Sequence, residues 1–450
     1  MVHSFINNGY RIAMDSASGA VHVLSETAYN LLATLTPPLA PELAAYKNDE
    51  EREAYKELYS LYEAGELFSE DVEIDSRLVG AKVIKSLCLH ISHDCNMRCR
   101  YCFAGTGDFH RGRMLMTEET GRRAIDFLLS RSGSIRNLEL DFFGGEPLLN
   151  FDVVKALVKY GREAEKPYGK NIRFTITTNG SLLDDDSIAF INENMSNAVL
   201  SVDGRKSVND RNRTFEDGSG TYDSFIGRYK QLVAGRGDKD WYVRGTYTRE
   251  NLDFTNDVLS LANEGFDEIS VEPVVLDHDD PMSLREEELP AIFDEYDRLS
   301  AEMVRRYRED GKCFNFYHFM IDLDAGPCVY KRVKGCGSGS EYIAITPDGD
   351  IYPCHQFVGY PEYKMGNINE GTFDTEVQKR FSGCNILTME SCKSCWAKYF
   401  CGGGCAANNY KFNHDPAKAY KLGCELEKKR VECAMMIKAA LSDLEDEQQN

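Results

Sequence analysis

The spacing of apolar residues changes character twice along this chain. Residues 1 to about 80 open with short alternating segments, FINNGYRIAMD and AVHVL, on either side of the turn-prone SASG, and pass into helical periodicity at SETAYNLLATL. This predicts a hairpin followed by helices. Ser25 stands where the first helix needs an N-cap, and EEREAYKELYSLYEAG forms a second amphipathic helix ended by Gly65. From Lys85 to about Arg308 strands alternate with helices, the mark of βαβ units and a parallel sheet. The strands are SLCLHI, NLELDFF, IRFTITT, AVLSV, WYVRGTYT and EISVEPVV. Helices begin near Thr117, Asp152, Asp184, Tyr222 and Asp253, and a longer one spans about Leu284 to Arg308. Six units fall short of the eight of a closed barrel, so the expected class is α/β with a partial (β/α)6 barrel and chemistry at the C-terminal strand ends. From Cys313 to Cys424 the chain is rich in Gly, Cys and short turns, so metal is expected to replace core. Glu425 to about Leu444 reads as a helix with a frayed acidic end, DLEDEQQN.

These boundaries divide the chain into residues 1–80, 81–312, 313–430 and a C-terminal helix and tail, 431–450. No apolar run approaches the ~18 residues of a membrane helix. The N-terminus has polar residues where a signal peptide carries its apolar core, so a cytoplasmic protein without membrane association is expected. Formal net charge is −21, from 73 acidic and 52 basic residues, which opposes binding of nucleic acid.

Fifteen cysteines in such a chain point to metal or redox chemistry rather than disulfides. Three fall between Cys95 and Cys102 and eight between Cys328 and Cys405, with Cys313 alone in the interval between the groups. The run CNMRCRYC places Cys95, Cys99 and Cys102 in a C-x3-C-x2-C motif directly after a strand. Three thiolates with no fourth cysteine nearby leave one iron of a 4Fe-4S cluster open to an amino acid's amine and carboxylate. Zinc, which prefers four ligands, would have to recruit His90 or His93 from the strand end and loop.

With Tyr101 before its last cysteine, the motif resembles that of the radical S-adenosylmethionine (SAM) superfamily. The resemblance implies a cluster that cleaves SAM reductively, giving methionine and a 5′-deoxyadenosyl radical that abstracts hydrogen. It also implies that Tyr101 packs near the SAM adenine and that Gly144, Gly145 and Glu146 of GGEP serve its amino group. Two glycines there let backbone approach a ligand closely. Asn179, Ser201 and Asp203, at successive strand ends, serve the ribose and carboxylate by the same resemblance. Either Arg213 or Arg244 can form a bidentate fork with that carboxylate.

Toward the C-terminus, Cys336 and Cys354 precede Cys392, Cys395, Cys401 and Cys405 in the spacing C-x2-C-x5-C-x3-C, and Cys424 follows. Five residues between Cys395 and Cys401 are too few for a zinc ribbon, and the spacing is closer to a ferredoxin run. The seven positions match the SPASM domain of peptide-modifying radical SAM enzymes, with its two auxiliary 4Fe-4S clusters. This implies one cluster on Cys392, Cys395, Cys401 and Cys424, and one on Cys336, Cys354 and Cys405. The fourth position of the latter is either Cys328 or an open iron that captures a substrate thiolate. Cys88, Cys313, Cys384 and Cys433 are read as packing residues.

The segment GPCVYKRVKGCGSGSEYIAITPDGDIYPCHQFVGY resembles the maturases of SCIFF peptides, ribosomal peptides with six cysteines in about forty-five residues. That resemblance implies a thioether between a peptide cysteine sulfur and a carbon of another residue. It further implies a low-potential flavodoxin or ferredoxin as electron donor, and a winged-helix-like leader-recognition module over residues 1–80. The alternative for that module is a structural cap. Rival functions are a formylglycine-forming sulfatase maturase and, from another class, a multi-cluster electron carrier.

Overall fold

The computed structural model describes residues 1–71, 73–74, 83–323 and 333–449, with side chains to residue 444. Strands β1 (Val2–Asn7) and β2 (Tyr10–Asp15) pair antiparallel across Asn8 and Gly9, whose φ values of 46° and 86° suit a two-residue hairpin turn. FINNGYRIAMD is thus two strands rather than one. β3 (Val21–Val23) adds antiparallel to β2. Helix α1 (Glu26–Leu32) is capped by Ser25, whose hydroxyl accepts from Ala28 N at 3.1 Å. Helix α2 (Asp49–Glu63) ends before Gly65, at φ 71°. Leu31, Leu32, Tyr55 and Leu58 close a small core over Ala13 of β2.

After β4 (Ser86–His93) come two short strands, β5 (Met97–Cys99) and β6 (Met114–Leu115). The alternation then runs α3 (Glu118–Arg131), β7 (Asn137–Gly144), α4 (Phe151–Ala164), β8 (Asn171–Thr178), α5 (Asp185–Asn194), β9 (Asn197–Ser201), α6 (Lys206–Asn212), β10 (Arg213–Phe215), α7 (Tyr222–Ala234), β11 (Asp240–Tyr247), α8 (Phe254–Asn263), β12 (Glu268–Pro273) and α9 (Leu289–Asp310). Strands β4, β7, β8, β9, β11 and β12 are neighbours in that order, each parallel to the next. These are the six strands expected, and all end on one side of the sheet. Leu138, Leu140 and Phe142 of β7 and Ile172, Phe174 and Ile176 of β8, fully buried at alternate positions, form its core with the helices outside. Burial of each such side chain contributes about 1.5–3 kcal/mol.

The sheet also runs past the six. β13 (Asn315–Phe316) pairs parallel to β12, and β14 (Tyr342–Ile345) pairs parallel to β4. Beyond β14 lie the antiparallel strands β15 (Asp350–Tyr352), β16 (Gly366–Asn367) and β17 (Thr372–Phe373). The cysteine-rich segment is therefore continuous with the barrel sheet, and its short helices follow: α10 (Thr375–Ser382), α11 (Glu390–Lys393), α12 (Lys398–Cys401) and α13 (Ala406–Asn413). The last helix, α14, spans Lys421–Gln449, so it starts before Cys424 and its acidic end stays helical. Val431, Met435 and Met436 of α14 pack beneath Phe5, Ile12 and Met14 of the N-terminal sheet. Among the described residues, no helix is long and apolar enough to cross a membrane.

Candidate active site

β4 ends at His93, and the chain turns at once into the cysteine motif. The motif is not all loop: β5 pairs antiparallel with β10, setting Cys99 opposite Arg213. Cys102 N then donates to Cys99 O at 3.1 Å, folding the third cysteine back toward the first two. Gly107, at φ 90°, crosses directly over Cys95, where an added Cβ would lie 2.5 Å from the Cys95 Cβ. All three thiols line one cavity of about 170 Å³ at the strand ends. Burial pushes Cys95 up to about 11 and Cys99 up to about 12, and it raises Cys102 as well. Without metal they are neutral thiols, and metal binding has to displace their protons.

Seven of the residues expected at SAM line this cavity: Tyr101, Gly144, Gly145, Asn179, Ser201, Arg213 and Arg244. Glu146 and Asp203 stand behind it, fully buried. The Glu146 carboxylate accepts from Thr178 Oγ1 at 2.7 Å, Asn179 N at 2.8 Å and Leu148 N at 3.0 Å. With these bonds it fastens the GGEP turn to the end of β8. The two glycines serve close packing against the protein's own backbone. A Cβ on Gly144 would lie 2.2 Å from Ser92 O, and one on Gly145 would lie 2.1 Å from Asp94 O. Gly145 N and Glu146 N donate to those same carbonyls at 2.7 and 2.9 Å, so GGEP clamps the strand that delivers Cys95. Gly145→Ala should therefore cost about 1–3 kcal/mol, read as a lower urea midpoint of the metal-free protein.

Tyr101 is held away from free rotation. Its hydroxyl lies 2.7 Å from both Asp203 oxygens and accepts from Arg213 Nη1 at 3.0 Å. Arg213 Nη1 is also 3.6 Å from Asp203, with 9% and 0% of the two side chains exposed. Arg213 Nε, buried and without a partner, remains available to a ligand. Arg244 instead forms a double hydrogen bond with Glu272, through Nε at 3.0 Å and Nη2 at 2.5 Å. That pairing holds Glu272 low, at about 2, despite burial. Of the two arginines, Arg213 is the one with a buried donor left without a partner. Arg213→Met leaves a buried carboxylate unpaired and should destabilise by about 3–5 kcal/mol; adding Asp203→Asn should recover most of the urea midpoint.

Sequence reasoning missed Glu272 and Thr246, which also line the cavity. The signal for Glu272 was legible, since it precedes Pro273 at the sixth strand's end. His90 and His93 lie on β4 and meet each other, Nδ1 to Nε2, at 3.0 Å. Neither lines the cysteine cavity, burial lowers His93 to about 4, and Phe109 covers both rings.

A second cavity, of about 300 Å³, is lined by Cys392, Cys395, Cys401 and Cys424, the four that the SPASM resemblance groups together. Cys336 and Cys405 open onto a third, of about 660 Å³, which also touches Cys401 and Cys424. Cys354 is buried beside them, among Phe357, Tyr363 and Phe381. Cys328 lies outside the described residues. Cys88 and Cys433 are buried in the core, and Cys313 is half-buried. Cys384 shares a small recess with Cys336.

Comparison with known proteins agrees with this geometry. Residues 82–223 match the family described as a 4Fe-4S single cluster domain, and residues 336–396 match the SPASM iron-sulfur cluster-binding domain. An uncharacterised protein of Methanocaldococcus jannaschii is 32% identical over 290 residues, which cover 64% of this chain and 90% of that protein. The radical SAM cyclopropyl synthase TigE of Paramaledivibacter caminithermalis is 23% identical over 353 residues, covering 73% and 69%. The serine-type anaerobic sulfatase-maturating enzyme of Klebsiella aerogenes is 25% identical over 344 residues, covering 70% and 77%. The chain belongs to the radical SAM/SPASM family.

Solved structures share the fold. One of anSMEcpe with bound AdoMet has a TM-score of 0.65 at 22% identity, covering 79% of this chain and 99% of that one. Streptococcus suis SuiB bound to its precursor peptide SuiA has a TM-score of 0.53 at 17% identity, covering 93% and 97%. As a radical SAM/SPASM protein the chain uses SAM and iron-sulfur clusters. The residues fit both groups: three thiols open on one cavity, whose wall carries the unpartnered Arg213 Nε.

Proposed function

We propose that this protein is a peptide maturase that joins a cysteine sulfur to a carbon of another residue in a cysteine-rich precursor, forming a thioether. The observation that carries this reading is the 660 Å³ cavity. It shares Glu272 and Pro273 with the cavity of Cys95, Cys99 and Cys102, and it reaches Cys336 and Cys405. A peptide segment lying there would face the SAM site and an auxiliary site together. In this reading Cys95, Cys99 and Cys102 hold the cluster that binds SAM, and Arg213 Nε meets the SAM carboxylate beside Ser201 and Asn179. Tyr101, fixed by Asp203, walls the adenine side. Cys392, Cys395, Cys401 and Cys424 hold one auxiliary cluster, and Cys336, Cys354 and Cys405 the other.

When bound, SAM and the three clusters supply a radical that removes one hydrogen atom from the acceptor carbon and an acceptor for the electron released as sulfur and carbon join, while the thiol proton leaves to solvent. The chain's part is to position and to shield. Glu272, kept ionised by Arg244, stands at the junction of the two cavities. His318, which lines the larger cavity, stays neutral because burial lowers it to about 3. A low-potential flavodoxin or ferredoxin is the proposed electron donor, in the cytoplasm.

The assignments extend to residues 1–80 as leader-recognition module, 81–312 as barrel, 313–430 as SPASM domain and 431–450 as tail. β3 is an edge strand, and Leu24 N and Asp15 N pair across to β2's side of the ladder, so Val21 and Val23 direct their backbone groups outward. Such an edge accepts an extended peptide by strand addition. Deleting the module would bare the apolar face of α14, so a point change is the cleaner probe. Val23→Pro removes one outward N–H, worth ~1 kcal/mol, and should weaken leader binding about fivefold by fluorescence anisotropy; unchanged affinity contradicts the module's role.

The likeness to the Klebsiella sulfatase-maturating enzyme favours a second reading, oxidation of a residue to formylglycine. Mass spectrometry of the treated peptide separates the two. A thioether removes two hydrogens and hides one thiol per link from alkylation, whereas formylglycine formation at cysteine loses sulfur and at serine removes two hydrogens while every thiol stays reactive.

A further inference from the structure

We propose that His318, Asn408 and Arg430 form a subsite for the backbone of the precursor peptide, in which Arg430 Nη2 donates to a peptide carbonyl and Asn408 Oδ1 accepts from a peptide N–H. The proposal rests on the reading that a peptide segment occupies the 660 Å³ cavity.

The three residues come from separate elements: His318 follows β13, Asn408 lies on α13 and Arg430 on α14. Each lines the cavity, and each has a buried side-chain atom without a partner: His318 Nε2, Asn408 Oδ1 and Arg430 Nη2. Arg430 is only 8% exposed. Its Nε donates to Tyr296 Oη at 2.9 Å, and its Nη1 lies 3.6 Å from Glu427. The guanidinium is thus anchored with one nitrogen left over. Asn408 stands in the first turn of α13, where its backbone N–H donates to the Cys405 thiol. Glu272, His318 and Arg430 lie within electrostatic reach of one another, and Glu272 also reaches Cys405. The subsite therefore lies between the junction with the SAM cavity and an auxiliary cysteine.

A buried donor or acceptor left unpaired is costly, so a cavity wall that carries both suits a ligand able to pair with both. Asn408 Oδ1 needs a donor, which neither a cluster sulfide nor a peptide thiolate supplies. A carboxylate gains little here, because Arg430 is already balanced by Glu427 and Arg244 by Glu272. Tyr317, Met320 and Ile321 line the same cavity, which further disfavours a charged ligand. A neutral group with one donor and one acceptor meets these demands, and every non-proline peptide unit is such a group. The next unit along an extended backbone suits His318 Nε2 as well, since it offers a partner to either tautomer. Contacts of this kind hold the chain between the two cavities without reading its side chains.

The test uses the full-length reconstituted enzyme with SAM, a low-potential reductant and a six-cysteine precursor peptide, reading KM and kcat for crosslinking together with iron content and urea midpoint. Asn408→Leu and His318→Phe should each raise KM for the peptide about fivefold, and Arg430→Lys, which keeps the charge and loses Nη2, about tenfold. In all three kcat should stay within about twofold, as expected when binding is lost equally from ground and transition states. Iron content and urea midpoint of Asn408→Leu should match wild type, because an unpartnered acceptor stabilises nothing in the free protein. Asn408→Asp keeps the acceptor and should keep KM near wild type. Unchanged KM in all three variants, with wild type crosslinking normally, would overturn this proposal alone. So would a fall in iron content or urea midpoint of Asn408→Leu that accounts for its KM, or a larger rise in KM for Asn408→Asp than for Asn408→Leu, which marks a carboxylate ligand. If the wild type forms no crosslink, the reading beneath falls and takes the subsite with it.

Discussion

With Cys95, Cys99 and Cys102 all replaced by alanine, 5′-deoxyadenosine formation from SAM should fall to the level of an enzyme-free control. The three thiols are the only cysteines lining the 170 Å³ cavity, so no neighbour among the described residues stands ready to replace them. The loss should be of chemistry and not of fold. β4, β7 and β8 are held by cores such as Leu89, Phe142 and Phe174, none of which depends on the sulfurs. Far-UV circular dichroism should match the wild type, while iron content falls by one cluster. Single replacements should be nearly as severe, because three thiolates are the minimum that leaves one iron open for a chelating amino acid. Production equal to wild type would remove the cluster from its assigned place.

Cys354→Ala should give the opposite division of activities. This thiol is buried among Phe357, Tyr363 and Phe381 and does not line the cavity of the SAM-site cysteines. Losing it should release the cluster shared with Cys336 and Cys405, while the SAM cavity, whose wall does not include it, keeps its shape. The variant is expected to retain SAM cleavage within about twofold and to lose crosslinked peptide. Deleting the buried sulfur itself leaves only a small void, costing on the order of 1 kcal/mol, so a larger loss of stability reports the released cluster. Crosslinking at the wild-type rate would mean that this auxiliary site takes no part in bond formation.

Much of the barrel was legible because its signals are local. Alternating apolar residues in NLELDFF and IRFTITT, with one side of each strand fully buried, mark strands that face a core, and Ser25, Thr117 and Asp184 accept from their helices' first turns as N-caps do. The turn at Asn8 and Gly9 was equally local, yet it lay inside what read as one segment. What the pattern could not show is pairing across distance. β5 and β10 have three residues each, too few for any periodicity, and only their pairing brings Arg213 to Cys99. β13 and β14 were hidden for the same reason. At the site, the structure adds packing tasks that residue types alone did not show: the GGEP glycines fit against Ser92 and Asp94, Glu146 ties the turn to β8, and Glu272 occupies two donors of Arg244. The C-terminal cysteines were grouped by their resemblance to the SPASM domain, and four grouped that way, Cys392, Cys395, Cys401 and Cys424, line one cavity.

The central claim is thioether formation, and the most direct measurement is the mass of a six-cysteine precursor peptide after anaerobic incubation with the reconstituted enzyme, SAM and a low-potential reductant. The account predicts that each link removes two hydrogens, makes one thiol unreactive to alkylation, and yields fragments that remain joined through sulfur. A peptide that loses sulfur, or one that keeps its mass and all its thiols while SAM is cleaved, would contradict it.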